Sequence, residues 1–509
     1  MQQHEDSDST LQDRSAGSKG EDVENENGAE GDVEKGPQPP QPTEDPNIVK
    51  FSGPEDPDNP MSWSRRYKWM ITGILASMTF VCTFTSAVFS TAVNATSGEY
   101  GVSMEVTTLG TSLFVLGFAF GPIAWGPLSE LYGRRVPLYV GIGGMSCFQI
   151  GVAVAQNLYT IMICRFLAGL FGCAPLAVVG GALADFWNPI DRGVTVGVYS
   201  MCTFVGPVAA PIIGGFVTES YLGWRWSQYI SAILGFFFCA LAVLFLPETF
   251  APVILQRRAR KIRLETRNWA MHAEVEEKEV ITLKLIVEKY LTRPYRMLFS
   301  EPILLLLALY VGLAYGILYL FFTAFPISFQ EQRGWSEGVG GLPFLSITIG
   351  VILGGLLNTY HTKTNYARAL LAGKHTPEMR LPPMIIGGLL LPPGLFWWAW
   401  TSSPSITPWP QIIAGVPAGM GILLILVNGL NYIVDVYKIN AASAIAANTV
   451  VRSIFGAVFP LFAAAMYHRL GVPWATSLLA FLTVLLLPGP ILFWIYGEKI
   501  RRWSKFVPE

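Results

Sequence analysis

The sequence predicts an all-α membrane protein whose twelve transmembrane helices form two halves of six. Three observations carry that expectation. Of the 509 residues only 14% are charged and 51% are hydrophobic, which is too little charge to cover the surface of two or three soluble domains, where about 25% is usual. From Trp69 onward the chain breaks into apolar stretches of about 19 to 27 residues, the length a helix needs to cross a ~30 Å hydrocarbon core. Twelve such stretches fall six and six around one polar insert.

Residues 1–62 hold 16 of the 36 acids but only four of the 35 Lys and Arg, with Pro37, Pro39, Pro40 and Pro42 in one run. Such a segment buries too little apolar surface to repay its ordering entropy, so a disordered acidic cytoplasmic tail is expected. It shows no basic start followed by an apolar core, and a signal peptide is not expected. The N-terminal half, 63–250, carries the stretches 69–91, 106–126, 136–155, 159–184, 194–217 and 227–246. The insert, 251–300, contains 11 Lys or Arg against six Glu, and Leu283, Ile286, Val287 and Tyr290 recur in it at helical spacing. It reads either as an amphipathic helix along a membrane surface or as a solvated linker whose apolar residues pack on the bundle. The C-terminal half, 301–497, carries 302–325, 338–358, 383–401, 409–433, 440–466 and 474–496, and a short tail, 498–509, follows.

Positive charge sets the orientation. With a cytoplasmic N-terminus, 26 Lys and Arg of the flanks and loops fall inside, and only Arg225, Arg333 and Arg469 fall outside. Both ends and the insert are therefore expected in the cytoplasm. The sequon Asn94-Ala95-Thr96 then faces outward as a candidate glycosylation site, although it lies too near the first helix end to favour modification.

Cys82, Cys147, Cys164, Cys173, Cys202 and Cys239 all sit in apolar runs without C-x-x-C spacing, so they read as packing residues rather than disulfide or zinc ligands. The five His (His4, His272, His361, His375, His468) are isolated, and none lies within an expected span. A membrane-embedded metalloenzyme would need a His cluster or an H-E-x-x-H pair. No enzyme activity, cofactor, metal or nucleic-acid partner is expected.

Four strings carry candidate function. Between the second and third stretches, Gly126-Pro-Leu-Ser-Glu130-Leu-Tyr-Gly133-Arg134-Arg135 sets a tight turn with a carboxylate and two guanidiniums. An Arg fork can hold a carboxylate in one conformation and release it in another, so the string reads as a gate or as a plain positive anchor. Arg165-Phe-Leu-Ala-Gly169 places a permanent charge inside the fourth stretch, where insertion costs roughly 2.5 to 3.5 kcal/mol and the side chain turns to the bundle interior. The fifth stretch carries Gly206-Pro207-Val-Ala-Ala-Pro211-Ile-Ile-Gly214-Gly215, which suits either a helix that bends and slides on a neighbour or a static kink. Leu246-Pro-Glu248-Thr closes the half, with Asp185 at the inner end of the fourth stretch.

These strings resemble motifs A, B and C of the major facilitator superfamily. Asp56-Pro-Asp58-Asn-Pro60-Met-Ser-Trp63-Ser-Arg65, Leu246-Pro-Glu-Thr-Phe-Ala-Pro252-Val, Arg293-Pro-Tyr and Tyr319-Leu-Phe-Phe-Thr-Ala-Phe-Pro326 narrow the likeness to the fungal twelve-span drug:proton antiporter family of multidrug, polyamine and secondary-metabolite exporters. The likeness spans about residues 55 to 505. It implies the major facilitator fold, a plasma-membrane or vacuolar location, proton coupling and a monomeric transporter. Departures are Glu130 where motif A commonly has Asp, Ala210 where motif C commonly has Gly, and a first stretch without Asp, Glu or His. Related antiporters carry their proton there. Residues 358–383 also lack the glycine and acid spacing of a second motif A.

Transport by alternating access about a midplane cavity follows from this reading. The cavity is expected to hold Arg165, Tyr310, Tyr315, Tyr319, Asn428, Asn431, Tyr432, Asn448 and Arg452, the aromatics serving either as wall or as core. No acid occupies a span centre, and two arginines do. This favours a neutral or anionic amphipathic cargo, a drug or secondary metabolite, over a polyamine; a small organic acid also fits, as does a non-transporting nutrient receptor on the same fold. Asp185 and Glu248 remain as groups able to carry a proton, with a helix-end structural role as the alternative for Asp185. We expect labels at residue 30, near Glu277 and at the C-terminus to react only from the cytoplasmic side of intact cells. Opposite exposure of the two ends would overturn the even span count.

Overall fold

The computed structural model describes residues 45–506 apart from 54, 278–287, 289–291, 374–375 and 503. The expected disorder of residues 1–44 and the apolar face of Leu283, Ile286, Val287 and Tyr290 lie outside the described residues. Twelve long helices appear: α1 (Arg65–Val88), α2 (Met104–Leu131), α3 (Arg135–Val154), α4 (Leu158–Phe186), α5 (Pro189–Glu219), α6 (Trp224–Phe245), α7 (Pro302–Phe325), α8 (Phe344–His361), α9 (Leu381–Trp400), α10 (Pro408–Tyr437), α11 (441–470) and α12 (472–486, continued by Pro488–Arg501). Several run past their apolar stretch, and His361, expected outside a span, ends α8.

Local chemistry sets the helix ends. Ser64, Ser103 and Asn157 cap α1, α2 and α4 by accepting a backbone N–H from inside the first turn, which satisfies one of the orphan donors there. Helical hydrogen bonding runs from Ala441 to Leu486, but Gly471 takes φ 73° and ψ 158° with Pro473 just beyond. Glycine adopts that backbone without steric cost, so the chain folds back and the Tyr467 hydroxyl meets Thr476 Oγ1 at 2.9 Å. What would otherwise be one overlong helix is thus two spans.

Each half has its own apolar core, around Leu75, Phe114, Phe118 and Val178 in the first and around α7 in the second. The halves meet along two seams, α2 with α11 and α5 with α8. The glycines of α5 make this possible. A methyl group on Gly206 would lie 2.3 Å from Thr83 Oγ1, and one on Gly214 would lie 2.7 Å from Thr91 Oγ1. On the other side, a methyl on Gly215 would lie 2.6 Å from the Glu337 carbonyl of the second half. α5 is therefore pressed between α1 and the partner half.

Residues 47–62, grouped by composition with the acidic tail, fold against the linker helix Ala251–Thr266. The Asp56 carboxylate accepts the Ser52 and Asp58 N–H groups and the Arg258 guanidinium. The Ser52 N–H, Arg258 and the Asp58 N–H lower its pKa from 3.8 to about 2. A depressed carboxylate pKa stabilises the folded state above the ordinary value, and that contribution is lost as pH falls through the depressed one. The clasp is therefore intact at neutral pH. It also gives a physical role to the Asp-Pro-Asp-Asn-Pro string, whose Asn59 caps the short helix Pro60–Ser62.

We expect Gly206→Ala to destabilise the protein by about 1–3 kcal/mol through overpacking, seen as a lower thermal midpoint in detergent. Gly98→Ala, in a helix with nothing within 4 Å of the added methyl, should not lower it. Gly101 would be a poor control, because at φ 64° any side chain is strained.

Candidate functional site

At the end of the bundle that carries the linker helix, the α2–α3 turn gathers three segments. Gly133 has φ 89°, and a methyl on it would sit 2.2 Å from Glu248 Oε2. With only hydrogen at that position, the Glu248 carboxylate lies against the turn and accepts the Arg134 and Arg135 N–H groups at 2.8 and 3.4 Å. The Arg134 side chain leaves the turn in another direction. Its Nε donates to Asp185 Oδ2 at 3.2 Å, one Nη donates to Ser129 Oγ at 2.9 Å, and its guanidinium lies over the Phe250 ring. Asp185 also accepts the Thr249 hydroxyl at 3.2 Å. Arg135 turns outward to Tyr139 and the Val243 carbonyl. The structure thus brings Gly133, Arg134, Asp185 and Glu248 into one cluster, with Gly126 and Glu130 one to two turns back on α2.

The second half repeats this ion pair, which the sequence spacing did not reveal. Arg380 Nε donates to Asp435 Oδ2 at 2.9 Å, Tyr366 donates to the same oxygen, and the Arg380 guanidinium lies 3.5 Å from the Tyr366 ring centre. Arg380 immediately precedes α9 as Arg134 precedes α3, and Asp435 ends α10 as Asp185 ends α4. Residues 358–383 lack the glycine and acid spacing of a second motif A, yet the ion pair itself recurs. The available signal was an Arg before the third helix of the half and an Asp in the last turn of the fourth.

In the second turn of α4, Arg165 is fully enclosed. Its guanidinium donates to the carbonyls of Gly110, Thr85 and Ser86 at 2.9, 3.0 and 3.1 Å and lies between the rings of Phe89 and Phe114. Thr85 and Ser86 occupy the last turn of α1, just before it passes into the 3-10 turn Phe89–Ala92. Arg165 therefore ties α4 to α1 and α2 rather than facing a cavity. Tyr310 and Tyr432 are likewise removed from the centre: Tyr310 points at Gly388 of α9, and Tyr432 stacks with Phe493 of α12. Asn428 is buried and bonds the Leu424 carbonyl of its own helix, whereas Asn431 is half-buried.

The remaining expected residues do converge. Tyr315 donates to the Tyr319 hydroxyl at 3.3 Å, and the Tyr319 hydroxyl meets Ser86 Oγ of the first half at 2.7 Å. The Arg452 guanidinium lies over Tyr315, 4.8 Å from the ring centre. Arg452 Nε and Asn448 Oδ1, four residues apart on α11, have no hydrogen-bond partner among the described residues.

A cavity of about 300 Å³ opens beyond Tyr319, away from the Arg134 cluster. Tyr319, Phe322 and Phe344 form part of its wall, and Asn94, Gln330 and His468 lie toward the polar end. Asn94, the sequon residue, and Glu337 both line this cavity. Glu219 at the end of α5 accepts the Gly338 N–H of the second half at 2.9 Å.

This architecture matches known proteins. The family model described as Major Facilitator Superfamily matches residues 75–407. The chain belongs to the major facilitator superfamily. It is 54% identical to the citrinin biosynthesis cluster transporter of Monascus ruber over 91% of this chain and 93% of that one. It is 50% identical to the ascochitine biosynthesis cluster transporter of Didymella fabae (91% and 90%) and 45% identical to the cercosporin transporter of Cercospora nicotianae (91% and 90%). A solved proton:xylose symporter bound to 6-bromo-6-deoxy-D-glucose shares the fold at a TM-score of 0.59 and 14% identity, covering 85% of this chain and 96% of that one. The chain is thus a multi-pass membrane transporter of the superfamily.

Within that frame the two arginines in the spans separate by their partners: every nitrogen of Arg165 donates to the protein, and Arg452 Nε does not. Orphaning a buried polar group costs about 1–3 kcal/mol. Arg165→Ala should therefore lower stability by at least about 2 kcal/mol, read as thermal unfolding in detergent, and Arg165→Lys should not restore three separate carbonyl bonds. Arg452→Ala should leave the thermal midpoint within a few degrees of wild type while abolishing transport.

Proposed function

We propose that this transporter exports an amphipathic, neutral or anionic fungal secondary metabolite across the plasma membrane, working as a monomer with both termini in the cytoplasm. The observation that carries this reading is the pair of unpartnered polar groups on α11, Asn448 Oδ1 and Arg452 Nε, set among aromatic side chains. An apolar wall with few convergent polar groups suits an amphipathic ligand, and a cationic guanidinium disfavours a polyamine. The relatives named for citrinin, ascochitine and cercosporin support the class of cargo.

Export is coupled to protons in this reading. A proton moving down one pH unit yields ~1.4 kcal/mol, enough for a tenfold gradient of a neutral cargo. Asp185 is the titrating group, because protonating it breaks the Arg134 ion pair, the joint between the α2–α3 turn and α4. Glu248, bonded to backbone N–H groups, holds the turn in place. Facilitated diffusion is the competing reading, favoured by the absence of any acid from the span centres.

Cargo is identified by deleting the gene in its native host and comparing excreted with retained metabolites. In vesicles, an imposed pH gradient should then drive uphill efflux in the wild type, and Asp185→Asn should uncouple it at least tenfold while leaving downhill flux. Wild-type flux indifferent to the gradient would establish a facilitator, and full coupling in Asp185→Asn would move the carrier elsewhere.

A further inference from the structure

The C-terminal tail closes over a buried carboxylate, and we propose that Ser504 within it is a phosphorylation site for an Arg-directed protein kinase, modification releasing the tail from Glu301. Glu301 caps the start of α7 and is fully enclosed. Its carboxylate accepts the Tyr437 hydroxyl at 3.3 Å, the Lys505 N–H at 2.9 Å and the Ser504 hydroxyl. Just beyond, Asn440 Nδ2 donates to the Phe506 carbonyl at 2.7 Å, and the Arg293 guanidinium donates to Asn440 Oδ1. Ile500 and Phe506 pack on the apolar core of the second half. The tail therefore pins together the start of α7, the α10–α11 junction and the end of α12, and none of these contacts serves the transport site.

The residues before the hydroxyl read Arg501-Arg502-Trp503-Ser504. Two guanidiniums two and three positions ahead of a serine suit a kinase whose peptide groove is lined with carboxylates. In the docked state Arg501 is bound to Glu378 and Arg502 to Glu498, so the kinase takes the undocked tail, and docking and phosphorylation exclude one another. With ATP as donor, the γ-phosphorus bonds to Ser504 Oγ as its bond to the ADP oxygen breaks, and the hydroxyl proton passes to the kinase base. The product has lost the donor that faced Glu301 and carries about two negative charges where an enclosed carboxylate stands. Redocking then sets like charges against each other, and the tail stays free.

The inference rests on the cytoplasmic C-terminus proposed above, but its test does not. Full-length protein in detergent micelles, with both faces accessible, is incubated with the catalytic subunit of a basophilic kinase and ATP. Phosphosite mass spectrometry and hydrogen–deuterium exchange of the peptide covering residues 502–509 follow. We expect phosphate on Ser504, none there in Ser504→Ala, at least threefold faster incorporation in Glu301→Gln, and at least tenfold faster amide exchange once the tail is phosphorylated. Ser504→Asp should show that faster exchange without kinase, which keeps the proposal testable if Glu301→Gln folds poorly. No phosphate on Ser504 in either wild type or Glu301→Gln, or unchanged exchange in both the phosphorylated chain and Ser504→Asp, would overturn it. Phosphorylation in micelles together with an outward-facing C-terminus in cells would instead overturn the orientation alone.

Discussion

Inside a bilayer a polar group has no water to turn to, so each one must be met by the protein, and Arg165 is where that constraint joins the most elements. Its guanidinium spends three bonds on carbonyls of two neighbouring helices and places its faces against two rings. Those bonds fix the last turn of α1, where the chain tightens into the 3-10 turn Phe89–Ala92. Ser86 lies in the last turn of α1, just before it. It gives its carbonyl to Arg165 and shares its hydroxyl with Tyr319 of the other half. The position of α7 against α1 thus follows from how a single buried charge is satisfied.

Arg452 shows the same constraint left open. Its guanidinium has an aromatic face in Tyr315 but no acceptor at Nε among the described residues, and Asn448 one turn away has none at Oδ1. A folded protein seldom leaves two such groups idle side by side without a reason. In the proposed transport site, a cargo that brought its own acceptor and donor would remove that deficit on binding, which would favour molecules with a polar end, and the Tyr315 ring would meet part of their apolar remainder.

How much of this was legible in the sequence depends on the range of each signal. Span lengths and charge bias are local, so the twelve helices could be read directly, and even the break at Gly471 lies between two recognised stretches. The approach of Asp185 to the Arg134 turn was readable because both sit at helix ends whose side of the membrane the topology fixes. Helical spacing says which residues share a face but not which face looks inward. Tyr315 and Tyr319, four apart, share the central face, while Tyr310, five residues before Tyr315, is turned well over 100° away and packs on α9. The Arg380–Asp435 pair escaped because it reproduces the first-half geometry without its glycine spacing, and the tail contact at Glu301 escaped because its partners are about 200 residues apart.

Some polar contacts lie within a half and others between the halves, and alternating access gives that difference a meaning. At the linker end, Arg134 with Asp185 and Arg380 with Asp435 each bind helices of a single half. At the other end, Glu219 with the Gly338 N–H binds one half to the other. Rocking of the halves leaves bonds within a half intact and must break those between halves at the end that opens. Ser86 with Tyr319 also crosses, but it lies near the middle, where a rocking motion displaces atoms least. In the proposed coupling, a proton at Asp185 would not unlock a bolt between the halves but would loosen the joint that makes α2, α3 and α4 move as one body, and α2 would carry that change to the seam it shares with α11.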